Sequence, residues 1–402
     1  MATFPPADWA PATWTPNQSR DHDWTCAAVS TEVRDFHRTL SGYAPTTLAD
    51  LPGLARDLGV AHVLAKDESN RLGLPAFKGL GASWAIHRAL RDRIHSGASD
   101  GPVTIVTATD GNHGRAVARF ARQLGRRAHI FVPDGVHPAA VQAIRDEGAT
   151  VTHVPGTYDD AVHTAAAHAG RLDDGVLVQD TAWDGYEDVP GWIVDGYSTL
   201  FAELDDQLRD RGIMRPDLVV VPTGVGSLLQ AALAHYRSDP DPLGTAVVSV
   251  EPVDAACVLA SVTAGRPVAV DTGRTVMAGL NCGTVSTLAW PYITHGLDAC
   301  LTVTDAQAAD AARDLAALGI PAGPCGAAPL AAVRIINATK DASESHRRRS
   351  LLGLSPTATI VLLVTEGAAA NPGLAPSNDP AHPGERGRSG RRRSTGETGR
   401  GA

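Results

Sequence analysis

Lysine is rare in this chain, and the position of Lys78 sets it apart. Lys66, Lys78 and Lys340 are the only lysines among 35 basic residues, so 32 of these (35 minus 3) are arginines. Arginine stays protonated in proteins, whereas lysine can lose its proton and act as a nucleophile or a base. Lys78 follows Phe77 at the start of a predicted helix. It is therefore a candidate amine for attack on a carbonyl group, and an ordinary lysine at a helix start is the alternative interpretation.

A second set of reactive side chains follows the strand predicted at 103–107. Residues 107–114 place Asp110 and Asn112 just before a predicted helix, and the glycines among them permit a tight turn close to a ligand. Asn112 can hydrogen-bond a ligand hydroxyl, while the loop backbone can bind a carboxylate at the helix N-terminus. Asp110 can act as an acid or a base. The alternative is a simple strand-to-helix turn.

A glycine-containing loop follows the buried strand predicted at 218–221. It contains Gly224, Val225, Gly226 and Ser227, and a helix is predicted to begin at Leu228. Backbone N–H groups in such a loop can converge on a phosphate, whose negative charge the helix dipole favours. The chain has neither the lysine-containing loop of nucleotide triphosphate sites nor the Gly-x-Gly-x-x-Gly dinucleotide fingerprint. The loop therefore predicts a phosphate site that is not of either nucleotide type.

The last predicted strand, 359–364, is followed by Thr365. A neutral hydroxyl facing a pyridine nitrogen would leave that nitrogen largely unprotonated, which favours β-elimination over transamination; an ordinary turn is the alternative. Taken together, the four motifs supply an amine, a phosphate cradle, a side chain beside a ring and a hydroxyl beside a ring nitrogen. This combination predicts pyridoxal 5′-phosphate held as a Schiff base on Lys78.

Such a site needs a scaffold that brings strand ends together, and the chain alternates between strand and helix. This order is typical of parallel α/β sheets, which bind ligands outside the carboxyl ends of their strands. We therefore expect all four motifs at that edge of one sheet. Further strands are predicted at 62–65, 128–132, 150–154, 176–179 and 246–250, and helices at 79–93, 114–124, 138–147, 159–169, 192–211 and 228–236.

Four other segments lie outside this alternation. A short helix is predicted over 47–59, and residues 1–30 are expected to form an extended arm. The polar segment 340–350 is expected to be a surface loop. From residue 375 onward the chain is rich in Pro, Gly, Ser and Arg, and such a composition cannot bury enough apolar surface to become ordered.

Charge and cysteine content narrow the possible partners. The formal net charge is −9, which argues against general binding to nucleic acid or an acidic membrane. The five cysteines lack metal-type spacing, so we expect no metal site and a reducing cytoplasm. Cys257 and Cys282 are expected to be buried thiols, with a disulfide as the alternative. No signal peptide or membrane-spanning run is predicted.

Five motifs carry a resemblance to a known family. They read Lys-Asp-Glu-Ser-x-Arg-x-Gly-Leu-x-Ala-Phe-Lys at 66–78, Thr-Ala-Thr-Asp-Gly-Asn-His-Gly-Arg at 107–115, Gln-Asp-Thr-Ala-Trp-x-Gly-Tyr at 179–186, Gly-Val-Gly-Ser at 224–227 and Met-Ala-Gly-Leu-Asn-Cys-Gly at 277–283. With them, roughly residues 35 to 370 resemble the fold type II, tryptophan-synthase-β-like pyridoxal-phosphate enzymes. Within that family the chain looks most like the diaminopropionate ammonia-lyases.

The resemblance implies a role for each candidate residue. Lys78 resembles the Schiff-base lysine and the base that removes the Cα proton. Asp110 resembles the acidic residue that serves the D-isomer or the leaving β-amine, and Asp180 the second acid near the substrate. The implied cofactor contacts are Phe77, Asn112 at the ring hydroxyl, Gly224, Val225, Gly226 and Ser227 at the phosphate, and Thr365 at the pyridine nitrogen.

The resemblance also implies a fold, an activity and an assembly. The expected fold is α/β, with two open, twisted parallel-sheet domains: 1–85 with 200–374 form the large cofactor-binding domain, 86–199 the small one, and the cofactor lies in the cleft. The expected reaction is β-elimination of ammonia from 2,3-diaminopropionate, giving pyruvate and ammonia, in a cytoplasmic homodimer acting on a small amino acid. A serine or threonine dehydratase and a β-replacement synthase of the same fold remain alternatives. The departure from the family pattern after Gly367 adds a non-catalytic relative as a third.

Overall fold

The computed structural model describes residues 13–97, 101–239, 244–337 and 342–371. Within these residues the strands form two sheets, one of seven strands and one of four. In chain order the strands are β1 (Trp14–Pro16), β2 (Thr47–Asp50), β3 (His62–Asp67), β4 (Thr104–Ala108), β5 (Arg127–Val132), β6 (Thr150–His153), β7 (Gly175–Leu177), β8 (Leu218–Pro222), β9 (Ala246–Pro252), β10 (Ala299–Val303) and β11 (Thr359–Val364).

Helices cover the sheets and connect their strands. They are α1 (Glu32–Thr39), α2 (Pro52–Leu58), α3 (Gly79–His95), α4 (Asn112–Gln123), α5 (Pro138–Asp146), α6 (Tyr158–Ala169), α7 (Asp188–Arg209), α8 (Ser227–Tyr236), α9 (Cys257–Ala264), α10 (Ala289–Gly296), α11 (Asp305–Ala317), α12 (Pro324–Asn337) and α13 (Ala342–Leu351), with 3-10 turns at Ala278–Leu280 and Ala368–Ala370. Among the described residues, no helix combines the length and apolar character needed to cross a membrane.

The seven-stranded sheet has the order β1-β10-β9-β8-β11-β3-β2. Its five inner strands are parallel, and β1 and β2 pair antiparallel at the two edges. Strands β8 and β11 are buried along their whole length, as expected for parallel strands covered on both faces. The smaller sheet, β6-β5-β4-β7, is parallel throughout. The loops after β8 and β11 therefore share one edge, whereas the loop after β4 belongs to the other sheet.

Helices α3 and α7 connect the two sheets and pack closely against each other. α3 leads from β3 to β4, and α7 leads from β7 back to β8. A Cβ on Gly81 would lie 2.6 Å from Cε1 of Tyr197, and a Cβ on Gly196 would lie 2.7 Å from Cα of Gly81. Glycine is required at both positions for this approach. The predicted domain boundaries at 85/86 and 199/200 fall inside these helices, and the division into domains stays a prediction.

Two sequence-based expectations about the scaffold are wrong. The four motifs do not lie on one sheet, because Asn112 follows β4 of the four-stranded sheet while Lys78, residues 224–227 and Thr365 follow strands of the seven-stranded one. The helix predicted over 47–59 is shorter, because residues 47–50 pair with β3 as the edge strand β2. Helix α2 then begins at Pro52, whose fixed φ suits the first helical turn.

The surface loop expected at 340–350 is also wrong where the structure describes it. Residues 342–351 form α13, which has no buried residue and in which Glu344 pairs with Arg347 and Arg348 at 2.6 and 3.0 Å. Its polar composition reflects an exposed helix stabilised by pairs one turn apart. The tail expected from residue 375 onward and the first twelve residues of the arm lie outside the described residues. The rest of the arm contains β1, and β10 and its flanking helices α10, α11 and α12 were not predicted.

Candidate active site

A pocket lies where the ends of strands from both sheets meet. It encloses about 900 Å³ of empty space, part of it open to solvent. The loops after β4, β8 and β11 all contribute to its wall, which is why a single pocket draws on both sheets. Every site residue expected from the sequence lines this pocket: Phe77, Lys78, Asp110, Asn112, Asp180, Gly224, Val225, Gly226, Ser227 and Thr365.

Lys78 is the N-cap residue of α3 and is held by an ion pair. Its Nζ lies 2.7 Å from Oδ2 of Asp180, and 5.3 Å from the ring centroid of Phe77. Burial disfavours the ammonium form, but the negative charge of Asp180 outweighs this effect and raises the pKa of Lys78 above its usual range. In this state Lys78 is protonated, so it becomes a nucleophile only when its proton is removed.

Asp180 is surrounded by hydrogen-bond donors. Its Oδ1 accepts from the Tyr158 hydroxyl at 2.9 Å and from Nε2 of Gln179 at 3.1 Å, while Oδ2 faces Lys78. Burial alone would raise the pKa of Asp180, but the charge of Lys78 and the hydrogen bonds from Lys78 and Tyr158 prevail and hold it below its usual range. Asp180 is therefore an ionised partner that orients Lys78.

Asp110 lines the same pocket, but unlike Asp180 it is protonated. Burial and the nearby negative charge of Asp180 raise the pKa of Asp110 to about 8, and the positive charge of Lys78 only partly opposes them. Near neutral pH the Asp110 carboxyl mostly keeps its proton and can donate it. Two carboxyl groups whose pKa values are pushed apart are typical of an acid–base site.

The loop at 224–227 has the geometry of a phosphate cradle. Gly226 has φ of 102° and immediately precedes α8, whose first N–H groups have no partner within the helix. A Cβ on Gly224 would lie 3.0 Å from Sγ of Cys282, so the loop backbone needs glycine to pack there. Ser227 donates from Oγ to the Asp180 carbonyl at 2.6 Å. A small phosphate at a helix N-terminus fits this arrangement, as pyridoxal phosphate requires.

Asn112 and Thr365 reach the pocket from different sheets. Nδ2 of Asn112 donates to Oε2 of Glu366 at 2.6 Å. Thr365 is buried, and its carbonyl accepts from the backbone N–H of Phe77 at 3.1 Å, which attaches the end of β11 to the segment before Lys78. The structure thus brings an amide and a hydroxyl to the pocket that also holds the candidate amine.

Several pocket residues were missed by the sequence reasoning. His113 lies inside the motif at 107–115 without a separate role, Glu366 directly follows Thr365, and no sequence signal marked Tyr158. Nε2 of His113 donates to the Val178 carbonyl at 2.8 Å, so the neutral ring carries no proton on Nδ1, which lies 3.9 Å from Oδ2 of Asp180. Burial lowers the pKa of His113, consistent with this neutral form.

The two cysteines packed around the glycine loop are thiols. Cys257 and Cys282 are both free and buried, as expected, and Sγ of Cys257 donates to the Gly224 carbonyl at 3.6 Å. Burial raises the pKa of each thiol above its usual range. Both therefore act as apolar packing around the glycine loop. In the part of the chain that the structure describes, no group of three His, Cys, Asp or Glu side chains is arranged for a metal ion.

Comparison with known proteins gives a consistent result. Residues 39–364 match the model of the pyridoxal-phosphate dependent enzyme family. Diaminopropionate ammonia-lyase of Salmonella typhimurium is 38% identical over 308 residues, which are 72% of this chain and 76% of that protein. The crystal structure of diaminopropionate ammonia lyase from Escherichia coli, in complex with an aminoacrylate-PLP azomethine reaction intermediate, superposes with a TM-score of 0.81 at 33% identity, covering 89% of this chain and 94% of that one.

A threonine dehydratase is less similar. The biosynthetic L-threonine dehydratase of Mycobacterium leprae is 33% identical over 233 residues, which are 56% of this chain and 51% of that protein. The match to the ammonia-lyases therefore extends over more of the sequence at higher identity.

Proposed function

This chain belongs to the pyridoxal-phosphate dependent enzyme family, and from that membership we propose that it is a carbon–nitrogen lyase that eliminates ammonia from 2,3-diaminopropionate. The proposal is supported by the extent of the similarity to diaminopropionate ammonia-lyases. The observation that carries it is the placement of Lys78 against an ionised Asp180, with a protonated Asp110 in the same pocket. One cation and two carboxyl groups of opposite protonation are what an elimination with an amine leaving group needs.

The residues that line the pocket fit the cofactor. Bound pyridoxal phosphate supplies an electron sink that stabilises negative charge at the α-carbon of an amino acid. We propose that Lys78 holds it covalently as a Schiff base and that the backbone of 224–227 binds its phosphate. Asn112 and Thr365 would then contact the ring hydroxyl and ring nitrogen, and Phe77 would pack beside them.

The proton transfers follow from the protonation of the pocket. Lys78 in its free, neutral form would remove the α-proton from one face, with Asp180 to orient it. Asp110 can protonate the departing β-amine, because its raised pKa keeps a proton on it near neutral pH. For the D-isomer we propose Asp110 as the base instead, and the proton it takes up is then available to the departing β-amine. The lowered pKa of Asp180 does not suit the role of second acid that the resemblance implies. The released aminoacrylate is hydrolysed to pyruvate and a second ammonia.

A substrate panel tests this function. Purified protein with pyridoxal phosphate should release ammonia and pyruvate from 2,3-diaminopropionate much faster than from serine or threonine. Preference for serine or threonine would indicate a dehydratase, and product formation only after a nucleophile is added would indicate a β-replacement synthase. Protein without the visible absorbance of bound cofactor would indicate a non-catalytic relative.

We also propose that the enzyme is a cytoplasmic homodimer. Family analogy supports the dimer, and the free thiols at Cys26, Cys257, Cys282, Cys300 and Cys325 suit a reducing compartment. Light scattering of the purified protein would give the mass of the assembly, and cell fractionation its location. A monomeric mass would contradict the dimer.

A further inference from the structure

Glu366 is held rigidly beside the segment that leads to Lys78. It is 3% exposed, and its backbone pairs with Ala76 in an isolated antiparallel bridge. Its carbonyl accepts from the N–H of Gly323 at 2.9 Å. A Cβ on Gly323 would lie 2.8 Å from Oε1 of Glu366, so glycine is needed there to leave room for the carboxylate. The carboxylate therefore occupies a defined place in the pocket wall.

Three donors surround this carboxylate. Oε2 accepts from Nδ2 of Asn112 at 2.6 Å, while Oε1 accepts from Nδ2 of Asn371 at 2.7 Å and from the N–H of Cys325 at 3.3 Å. Burial raises the pKa of Glu366, but both of its oxygens face N–H donors, so the carboxylate accepts at these contacts and donates at none. Asn112 must therefore turn its NH₂ group toward Glu366, with its carbonyl oxygen directed away. The contact also crosses the pocket, because Asn112 begins α4 next to the smaller sheet and Glu366 follows β11 of the larger one.

We propose that Glu366 is a positioning residue that sets the orientation of the Asn112 amide, and with it the hydrogen bond that Asn112 offers to the ring hydroxyl of the cofactor. This inference rests on the proposed function, in which Asn112 contacts that hydroxyl. An amide that turns over would present an acceptor where a donor is needed. Since the NH₂ group has two hydrogens, one can bind Glu366 while the other remains for the ligand.

The isosteric variant Glu366→Gln tests the role of the carboxylate. Its Oε1 can still accept from Asn371 and Cys325, but its NH₂ group then faces Asn112 and forces the Asn112 amide to turn over. We expect the affinity of the apo-protein for pyridoxal phosphate to fall about tenfold or more, as for loss of a charge-assisted hydrogen bond. The pH at which the visible absorbance of the bound cofactor changes should also shift.

A double variant in which the donor and the acceptor are exchanged, called the swapped pair, separates positioning of Asn112 from a purely structural role of Glu366. In Glu366→Gln only a neutral hydrogen bond crosses the pocket. Asn112→Asp/Glu366→Gln makes this contact charge-assisted again with reversed polarity, because Gln donates and Asp accepts. Thermal stability should return toward that of the wild type. Cofactor affinity should stay low, because Asp offers no donor to the ring hydroxyl. In addition, Asn112→Ala/Glu366→Gln should bind the cofactor no more weakly than Asn112→Ala, since Glu366 acts through Asn112.

Glu147→Gln is the matched control. Glu147 is 4% exposed and its carboxylate accepts from Arg119 at 2.6 and 2.5 Å, away from the pocket. It should lose stability without any change in cofactor affinity or in the pH titration of the absorbance. Wild-type affinity and titration in Glu366→Gln, or recovery of both stability and affinity in the swapped pair, would overturn the inference. A wild type that binds the cofactor but releases no ammonia from 2,3-diaminopropionate would overturn the proposed substrate only, because the affinity comparison stands without turnover.

Discussion

Nζ of Lys78 and Oδ2 of Asp180 lie 2.7 Å apart in a pocket that both sheets enclose. The pairing has opposite effects on the two groups, since it raises the pKa of Lys78 and lowers that of Asp180. The candidate nucleophile, Lys78, is thus an ammonium ion paired with the carboxylate of Asp180. Its reactivity must depend on moving that proton, which makes Asp180 a control point for the chemistry.

The variant Asp180→Asn should change how Lys78 titrates. Without the carboxylate, burial is no longer compensated and the pKa of Lys78 should fall. Apo-protein should then capture pyridoxal phosphate at lower pH than the wild type, which a stopped-flow measurement of absorbance against pH can follow. Turnover should drop by about 10²-fold or more, because the oriented acid–base pair is lost. An unchanged pH profile of capture would show that Asp180 does not govern the lysine.

Asp110 should give the activity of the free enzyme an alkaline limit. With its pKa near 8, Asp110 is a proton donor below that pH and loses its proton above it. For the L-isomer, kcat/KM should therefore fall as pH rises through about 8, and Asp110→Asn should abolish this limb together with most activity. For the D-isomer, where Asp110 acts as base, kcat/KM should rise over the same range. If kcat/KM changed in the same direction with pH for both isomers, the two roles assigned to Asp110 would be refuted.

Gly226→Ala should weaken binding of the cofactor through the phosphate loop. At φ of 102° an alanine is strained by about 1–3 kcal/mol, and the loop can relieve this only by moving its N–H groups. The apo-protein should bind pyridoxal phosphate less tightly, as measured by absorbance titration. Gly59→Ala is the control, because Gly59 has φ of 62°, ends α2 and has open space around its Cβ position. It should lower Tm without changing cofactor affinity.

The buried ionic cluster of Lys66, Arg71 and Glu203 should account for much of the acid sensitivity of the fold. Glu203 on α7 pairs with Lys66 at 2.8 Å and with Arg71 at 2.7 Å, and all three side chains are fully buried. Burial opposes ionisation, but Arg71 and Lys66 prevail and lower the pKa of Glu203 to about 2. Because this pKa is lower in the folded state, the ionised Glu203 stabilises the fold at pH values above its unfolded pKa of about 4.3. This stabilisation is lost as the pH falls toward 2.

In the variant Glu203→Gln the buried Lys66 loses its ion pair, and Arg71 keeps only the one with Glu68 at 2.7 Å. The substitution should lower the free energy of unfolding by about 3–5 kcal/mol at neutral pH, measured by denaturant titration. The loss should shrink on acidification, because the wild type also loses the carboxylate charge. A variant within about 0.5 kcal/mol of the wild type would contradict the importance of this cluster.

Much of the pocket was predictable because its residues follow strands in an α/β order. Lys78, Asp110, Asn112, the loop at 224–227 and Thr365 all line it. The rarity of lysine was a weaker guide: Lys66 is also conspicuous by that criterion, yet it forms a buried ion pair with Glu203.

What could not be predicted depends on long-range packing. The carboxylate of Glu366 meets Asn112 across 254 residues of sequence, and Tyr158 reaches Asp180 from the start of α6. Neither contact has a local signature. The division of the motifs between two sheets, and the edge strand β2, likewise result from strand pairing that local periodicity does not specify.

The ratio of products formed from 2,3-diaminopropionate tests the central claim most directly. Elimination followed by hydrolysis must yield two molecules of ammonia for each pyruvate, so coupled assays of both products in one reaction should give a ratio of two. Lys78→Ala should form neither product and should lack the visible absorbance of the bound cofactor. Absence of pyruvate with the wild type, or full turnover by Lys78→Ala, would contradict the account.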